Sequence, residues 1–280
     1  MRPWTLPAPA NHPIRGSSHA TADPPRAVAL FAHGFKGYKD YGFIPVLAAE
    51  LGRRLPLVVH RFNFSHSGMG ERTDTFEHPE LFEQDTWSKQ VADLNRVADA
   101  ARTGELSDTP ARLPLILIGH SRGGVTCLLA AGRASSTLRP RAVITLAAPD
   151  TCCSMSDADQ AEHLRRGYTV TKSARTGQDL KIGRAWLQEQ RDDPDDHDVL
   201  ACCARIKCPV LAIHGASDPT VDPTAAGAIA DAAPLGEPLV IYDGDHVFNT
   251  PNPADPKQKM SAPLATATDA IDRFITAALE

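Results

Sequence analysis

The sequence lacks the features that mark several large classes of protein. No apolar stretch in its 280 residues approaches the roughly 18 consecutive apolar residues of a membrane-spanning helix. No run of lysine and arginine is present and the formal net charge is −5, so we expect neither nucleic acid nor a membrane as a partner. The first residues contain no apolar segment of the kind that directs secretion, which predicts a cytoplasmic protein.

Metal-binding patterns are missing as well. The six cysteines match no zinc spacing and have no histidine ligands nearby, and the acidic run at 192–198 lacks the glycine of a calcium loop. Vicinal pairs such as Cys152-Cys153 and Cys202-Cys203 rarely close a disulfide, because that geometry is strained. We therefore expect reduced, mostly buried thiols and no metal or other cofactor. Cys152 and Cys153 follow a predicted strand and are expected to border a ligand-binding cleft.

The sequence does contain a regular alternation of strand and helix patterns. Short apolar, β-branched runs alternate with segments of helical periodicity, such as the one in which Val91, Leu94 and Val97 recur at steps of three. This alternation predicts an α/β protein with a mostly parallel sheet and helices on both faces. We expect a single domain, residues 1–280. The predicted strands lie near 14–19 (an edge strand), 27–33, 57–62, 114–119, 141–147, 209–214 and 238–242, and the predicted helices near 43–54, 84–102, 122–134, 222–232 and 262–278.

The most informative pattern is Gly-x-Ser-x-Gly at residues 119–123. An apolar run precedes it and a helix-compatible segment follows, which is the strand–turn–helix context of a nucleophile elbow. The serine backbone must turn sharply there, and Gly119 and Gly123 leave room for that turn. Ser121 is therefore the predicted nucleophile, with its hydroxyl at the end of a strand.

A serine hydroxyl needs a base to take its proton and a carboxylate to orient that base. In chains with a nucleophile elbow, the carboxylate comes after the serine and the histidine comes after the carboxylate. Asp218 lies on the loop after the predicted strand 209–214, where the orienting carboxylate belongs. Asp222 is the alternative, although Asp222 followed by Pro223 is typical of a helix N-cap and first helical position.

The base is predicted on the loop after the next strand, near residues 238–242. His246 occupies that loop, and we assign it as the general base and then general acid. The neighbouring Asp245 is expected to point away from the imidazole and to have a structural role.

A tetrahedral oxyanion also needs two hydrogen-bond donors. The Arg122 amide, next to the nucleophile, is one, and the Phe35 amide in the turn after the strand near 27–33 is the other. The Phe35 side chain is expected to form a wall of the acyl pocket. His33, in the same turn, is expected to make structural hydrogen bonds.

These segments resemble the α/β-hydrolase superfamily, and more narrowly its dienelactone-hydrolase-like and cinnamoyl (feruloyl) esterase-like branch. The resemblance covers residues 27 to 278 and implies an α/β-hydrolase fold with the serine esterase activity of that branch. True dienelactone hydrolases use a cysteine nucleophile where this chain has Ser121, so lactone hydrolysis of that kind is not implied. The matching segments are HGFKG at 33–37, RFNFS at 61–65 with SG at 67–68, GHSRGG at 119–124, HGASD at 214–218 and DHVF at 245–248.

One segment, residues 151–207, is longer than a single crossover helix requires. We interpret it as a small lid inserted over the carboxyl ends of the strands, where open α/β sheets bind ligands. Trp186 is a candidate substrate contact in this segment, as is Phe35 in the body of the protein. Packing of the lid onto the body is the other interpretation. Further candidate apolar contacts of the lid are Tyr168, Leu180, Ile182 and Leu187.

The sequence thus predicts a metal-independent serine hydrolase acting on small-molecule carboxylic esters with small to medium or aromatic acyl groups. A peptidase or acyltransferase on the same fold is the nearest alternative, because the three catalytic side chains would be shared. A binding module without activity is the alternative from a different class. The sequence carries no signal for an oligomeric state.

Overall fold

Eight strands form one mixed sheet in the computed structural model, which describes residues 1–9, 12–21, 23–255 and 258–280. Two further strands pair in a separate hairpin. The ten strands are β1 (Arg2–Leu6), β2 (Ile14–His19), β3 (Ala27–Ala32), β4 (Leu57–Asn63), β5 (Leu115–His120), β6 (Ala142–Leu146), β7 (Tyr168–Lys172), β8 (Asp179–Gly183), β9 (Val210–Gly215) and β10 (Gly236–Ile241).

The large sheet has the order β1-β2-β4-β3-β5-β6-β9-β10. Strands β1, β2 and β4 pair antiparallel, and all other pairings are parallel. Helices cover both faces, as predicted. They are α1 (Ile44–Arg54), α2 (Pro79–Glu83), α3 (Trp87–Thr103), α4 (Arg122–Gly132), α5 (Asp157–Arg166), α6 (Arg184–Asp192), α7 (Val199–Arg205), α8 (Thr224–Ala232) and α9 (Ala262–Leu279).

Two separate hydrophobic cores lie on the two faces of the sheet. Helices α3, α4, α7 and α8 contribute to one core, together with side chains such as Leu30 and Leu117. Helices α1 and α9 contribute to the other, together with Phe31, Ile118 and Phe248. Successive residues of β3 and β5 thus enter opposite cores, because strand side chains alternate between faces. Both faces of these central strands are buried, which explains their continuous apolar sequences.

The strand registers bring the carboxyl ends of the central strands to one edge of the sheet. Ala32 at the end of β3 pairs with Gly119, and Leu146 at the end of β6 pairs with both His120 and Ile213. Backbone hydrogen bonds continue this alignment just past the strands, for example from Ser121 N–H to the Leu146 carbonyl (2.8 Å). The loops that follow β3, β5, β9 and β10 therefore begin at the same edge.

The predicted strands and helices are confirmed with small shifts of their ends, with one difference in topology. Residues 14–19 were expected at the edge of the sheet, but β1 pairs along β2 and is itself the edge strand. This pairing buries Trp4, whose indole N–H donates to His60 Nδ1 (3.0 Å). Within the described residues, no helix is long and apolar enough to cross a membrane.

The segment 151–207 contains α5, the hairpin of β7 and β8, α6 and α7. Leu180 on β8 is buried in a small third cluster with Phe76 and Phe82. The Lys36 ammonium donates to Thr171 Oγ1 (3.1 Å) and to the Lys172 carbonyl (2.9 Å), which joins the turn after β3 to the hairpin. The segment is thus attached to the rest of the protein by both apolar packing and hydrogen bonds.

Candidate active site

Ser121 has the strained backbone that the motif predicts. Its φ of 52° and ψ of −123° lie outside the regions that residues with a side chain usually occupy. A Cβ at position 119 would lie 2.3 Å from the Gly123 carbonyl oxygen, and one at position 123 would lie 2.3 Å from the Ala32 carbonyl oxygen. Both glycines are therefore required by the close approach of strand, turn and helix. Ser121 itself is partly exposed and lines a cavity.

The turn after β3 lies directly against the serine. Gly37 N–H donates to the Gly34 carbonyl (3.0 Å), and this turn has Phe35 and Lys36 at its centre. A Cβ on Gly34 would lie 3.0 Å from the Ser121 Cβ, so glycine allows the turn to approach the nucleophile position. In the part of the chain that the structure describes, neither the Phe35 amide nor the Arg122 amide donates a hydrogen bond. Both donors remain available for an oxyanion.

Asp218 and His246 are in direct contact. His246 Nδ1–H donates to Asp218 Oδ2 at 2.7 Å, and the carboxylate is fully enclosed whereas the imidazole is 17% exposed. A second imidazole donates to the same oxygen, from His214 Nε2 at 2.9 Å. The other oxygen, Oδ1, accepts from the amides of Thr220 (2.7 Å) and Val221 (3.0 Å).

These four hydrogen bonds determine the charge state of Asp218. Burial alone would raise the pKa of the carboxyl group, but the hydrogen bonds from His214, His246 and the two amides outweigh it and hold the pKa well below its usual range. Asp218 is therefore a carboxylate at neutral pH. In that state it holds His246 in the tautomer whose Nε2 has a free lone pair, the form a general base requires.

The two neighbouring acids have other partners. Asp222 Oδ1 accepts from the amide (2.9 Å) and the hydroxyl (2.7 Å) of Thr224 at the start of α8. The cap position itself is Pro223, not Asp222, so the predicted helix start was wrong by one residue. Asp245 Oδ1 accepts from the amides of Val247 and Asn249, which agrees with the structural role predicted for it.

Two further histidines surround the site. His120 donates from Nε2 to the His246 carbonyl (2.9 Å), and its ring centroid lies 4.9 Å from that of His246. His33 donates from Nδ1 to the Gly34 carbonyl (2.9 Å), and its Nε2 accepts from the Phe64 amide. Burial lowers the pKa of His120 to about 3 and that of His33 to about 4, so both are neutral. They fix the loops of the site, as predicted for His33.

The Ser121 hydroxyl makes no hydrogen bond to His246 or to any other described residue. Such bonds are often long or absent without substrate and form in the substrate complex. A cavity of about 470 Å³ opens beside this hydroxyl. Phe35 and Trp186 line it, as the sequence predicts, together with Trp87, Arg122 and Ile182.

The cysteines are free thiols. Cys152 borders the cavity as expected, whereas Cys153 is not among the residues that line it. Burial raises the pKa of the Cys152 thiol, and also that of Cys127, far above the usual value. Such thiols are protonated and poorly nucleophilic at neutral pH. Among the described residues, no group of three or more His, Cys, Asp or Glu side chains could hold a metal ion.

Two residues of the site were not found from the sequence. His214, the second partner of Asp218, lies within the strand β9 and was interpreted only as part of an apolar run. A histidine at the end of a predicted strand, four residues before the predicted carboxylate, is the available signal. The side chain of Arg122 was also overlooked, because only its amide had been assigned a role.

A model of the alpha/beta hydrolase family matches residues 29–258, which include the nucleophile turn and both loops of the Asp218–His246 pair. The chain belongs to the alpha/beta hydrolase family. Membership of this family supports hydrolase activity. No curated protein sequence matches the chain.

Several solved structures are similar in fold to this protein over nearly the whole length of the chain. Est1E from Butyrivibrio proteoclasticus with bound ferulic acid is 17% identical, with a TM-score of 0.71 and 99% of each chain covered. The esterase domain of a Rhodothermus marinus protein is 20% identical, with a TM-score of 0.62, 98% of this chain and 96% of that chain covered. DcsB in complex with its substrate analogue is 14% identical, with a TM-score of 0.72 and 99% of each chain covered. At these identities the similarity establishes the fold.

Proposed function

We propose that this protein is a serine esterase that hydrolyses carboxylic esters through an acyl-enzyme. The observation that carries the proposal is the 2.7 Å hydrogen bond between Asp218 and His246 at the sheet edge where Ser121 has its strained turn. A hydroxyl, an imidazole and a carboxylate at one edge of the sheet are the side chains that acyl transfer requires. The amides of Phe35 and Arg122 are the donors proposed for the oxyanion.

In the proposed mechanism His246 Nε2 takes the proton of the Ser121 hydroxyl as the oxygen attacks the ester carbonyl. The negative charge that develops on the carbonyl oxygen is stabilised by the amides of Phe35 and Arg122. His246 then donates its proton to the leaving alcohol, and Asp218 stabilises the imidazolium throughout. A water molecule, deprotonated by His246, attacks the acyl-enzyme and releases the acid.

The cavity beside Ser121 supports small to medium or aromatic acyl groups. Its volume of about 470 Å³ lies near the lower end of the range for small-molecule pockets. Phe35, Trp87 and Trp186 provide flat walls, which suit an aromatic ring. Met155, Ile182 and Trp186 of the segment 151–207 also line the cavity, and we propose that this segment acts as a lid that sets the acyl range.

A fluorophosphonate probe tests the nucleophile directly, because it forms a covalent bond with an activated serine. We expect labelling of the wild-type protein and of Ser217→Ala, whose exposed serine lies next to Asp218. Ser121→Ala should not be labelled. Absence of labelling of the wild-type protein would contradict the proposal and favour a binding module.

The reaction type is tested with a substrate panel of p-nitrophenyl acyl esters, methyl hydroxycinnamates and aminoacyl amides. We expect turnover of esters and little or none of amides. Faster turnover of the amides would instead indicate a peptidase. Transfer of the acyl group to an added alcohol in preference to water would indicate an acyltransferase.

A further inference from the structure

The Arg122 guanidinium is buried beside the nucleophile without a single side-chain hydrogen bond. The residue is 8% exposed, and its Nε and Nη2 atoms are enclosed and have no hydrogen-bond partner among the described residues. Nη1 has no hydrogen-bond partner among the described residues either and is not one of the enclosed atoms, and Arg122 is one of the residues that line the cavity. Buried guanidinium groups are normally satisfied by acceptors, because burial without them is costly.

Two aromatic rings and one carboxylate hold this guanidinium in place. Its Cζ lies 4.6 Å from the ring centroid of Trp87 and 5.6 Å from that of Phe35. Asp85 Oδ2 lies 3.2 Å from Nη2, without the geometry of a hydrogen bond, and this oxygen already accepts from Gln90 Nε2 at 2.6 Å. Asp85 thus offsets the charge of Arg122 without occupying its N–H groups.

The cavity wall around Arg122 has several buried N–H groups without a hydrogen-bond acceptor. The indole N–H groups of Trp87 and Trp186 are also buried and without a partner, and both side chains line the same cavity. Two buried side-chain atoms nearby are also without a partner among the described residues: Asp85 Oδ1, and Nε2 of His163, whose ring packs against Trp186. Two other carboxylates reach the cavity, of which Asp222 is exposed and Asp150 is partly exposed. Water screens these two, whereas Arg122 lies on the buried side.

We propose that Arg122 binds a carboxylate at the far end of the acyl group, so that the preferred substrates are monoesters of short dicarboxylic acids. This inference rests on the proposed function, because it places the ester carbonyl at Ser121. A carboxylate supplies the acceptor oxygens that the guanidinium lacks, in the charge-assisted pairing that arginine favours. The aromatic rings beside it accommodate the intervening methylene groups.

The test compares monomethyl esters of succinic, glutaric and adipic acid with methyl esters of the monocarboxylic acids of equal chain length. We expect the wild-type protein to favour the best anionic ester over its neutral counterpart by about tenfold or more in kcat/KM, the effect of one charge-assisted hydrogen bond. Arg122→Gln should reduce this ratio to about one or below, and Arg122→Lys should retain part of it. Asp85→Asn removes the competing carboxylate and should increase the ratio.

A binding measurement keeps the inference separate from the proposed function. In Ser121→Ala, calorimetry should show tighter binding of monomethyl glutarate than of dimethyl glutarate, and the difference should vanish when Arg122→Gln is added. Equal binding, together with equal turnover of the two series, would overturn the carboxylate site and leave the esterase proposal intact. Preferential binding without turnover of any ester would overturn the esterase proposal, and with it the assignment of monoesters as substrates, and would leave only the carboxylate site. If Arg122→Gln does not fold, an unchanged ratio in Asp85→Asn overturns the site.

Discussion

His214 and His246 donate hydrogen bonds to the same oxygen atom of Asp218, at 2.9 Å and 2.7 Å. His214 lies near the end of β9, and His246 lies on the loop after β10. The shared Oδ2 atom therefore connects the end of β9 to that loop. His214 is completely buried, and its other ring nitrogen, Nδ1, has no partner among the described residues. Among the described residues, the hydrogen bond to Asp218 is thus the one side-chain hydrogen bond of His214.

We expect His214→Phe to remove one donor from Asp218 while preserving the ring. Asp218 has a lowered pKa in the folded state, so it stabilises the fold above its unfolded pKa of about 3.9, and that stability is lost as the pH falls. Without His214 the folded pKa rises, and acid unfolding should begin at a higher pH than in the wild-type protein. Circular dichroism during acid titration measures this shift, and an unchanged midpoint would contradict it.

Asp218→Asn should lower kcat for ester hydrolysis by several orders of magnitude. The substitution removes the charge that stabilises the His246 imidazolium and disturbs its tautomer, an effect of about 10⁴ in a well-studied triad. Asp222→Asn is the matched control, because Asp222 is an exposed acid that accepts hydrogen bonds from Thr224. It should leave kcat near the wild-type value. The reverse order of activity loss would require exchanging the two roles.

Ser121→Ala should lower kcat/KM by about 10⁴ or more, since members of such a triad act as a unit. The strained backbone gives a second readout. Glycine adopts a positive φ without the steric cost of a Cβ, so Ser121→Gly should be more stable than Ser121→Ala by about 1 kcal/mol. Thermal unfolding of the two inactive variants measures the difference, and equal melting temperatures would mean that the turn is not strained.

Asp93 should make the protein less stable as the pH rises. Burial raises the pKa of Asp93 to about 7, although the Ser65 amide donates to it at 2.7 Å. A folded pKa above the unfolded value of about 3.9 means that the native state binds the proton more tightly. The free energy of unfolding should therefore decrease between about pH 4 and pH 7, by about 1.4 kcal/mol for each pKa unit of the shift at most.

Asp93→Asn should remove this part of the pH dependence, which urea unfolding at several pH values measures. Asp99→Asn serves as the control, because Asp99 lies on the same helix α3 with 64% of its side chain exposed. The control should retain the wild-type pH dependence. Parallel stability curves for Asp93→Asn and the wild-type protein would show that Asp93 is not the group responsible.

The acyl range should peak at short to medium or aromatic chains. Among p-nitrophenyl esters from C2 to C16, with methyl ferulate alongside, we expect the highest kcat/KM at the short end and no activation at an oil–water interface. Trp186→Ala enlarges the cavity next to Ser121, so it should shift the profile toward longer chains. A wild-type maximum at C12 or longer would contradict the proposed role of the segment 151–207.

The groups of the site that could be predicted are those carried by local patterns. Ser121 follows from its glycines, and Asp218 and His246 follow from their loops, because parallel strands align their carboxyl ends at one edge. His214 lies only four residues before Asp218, but the sequence does not show that the turn after β9 brings the carboxylate back onto this imidazole. The environment of the Arg122 side chain depends on Asp85 and Trp87, which the fold brings from a distant segment.

The strands of the fold also differ in how well local sequence patterns predict them. Central strands such as β3 and β5 are predicted well, because burial on both faces makes them continuously apolar. Strand β1 was not predicted, since its five residues include a proline and are stabilised by antiparallel pairing with β2. The hairpin of β7 and β8 was not predicted either. Both strands alternate between apolar and polar residues, but each is only five residues long and lies in a segment interpreted as a lid.

Ser121 and His246, the proposed nucleophile and base, are anchored in different hydrophobic cores. Phe248, two residues after His246, is completely buried against Phe43 on the face covered by α1 and α9. The helix α4, which begins after Ser121, packs on the opposite face. The distance between the Ser121 hydroxyl and the His246 imidazole therefore depends on the packing of both layers, and loosening of either one would change it. Heat inactivation should then follow the weaker layer and precede complete unfolding of the chain.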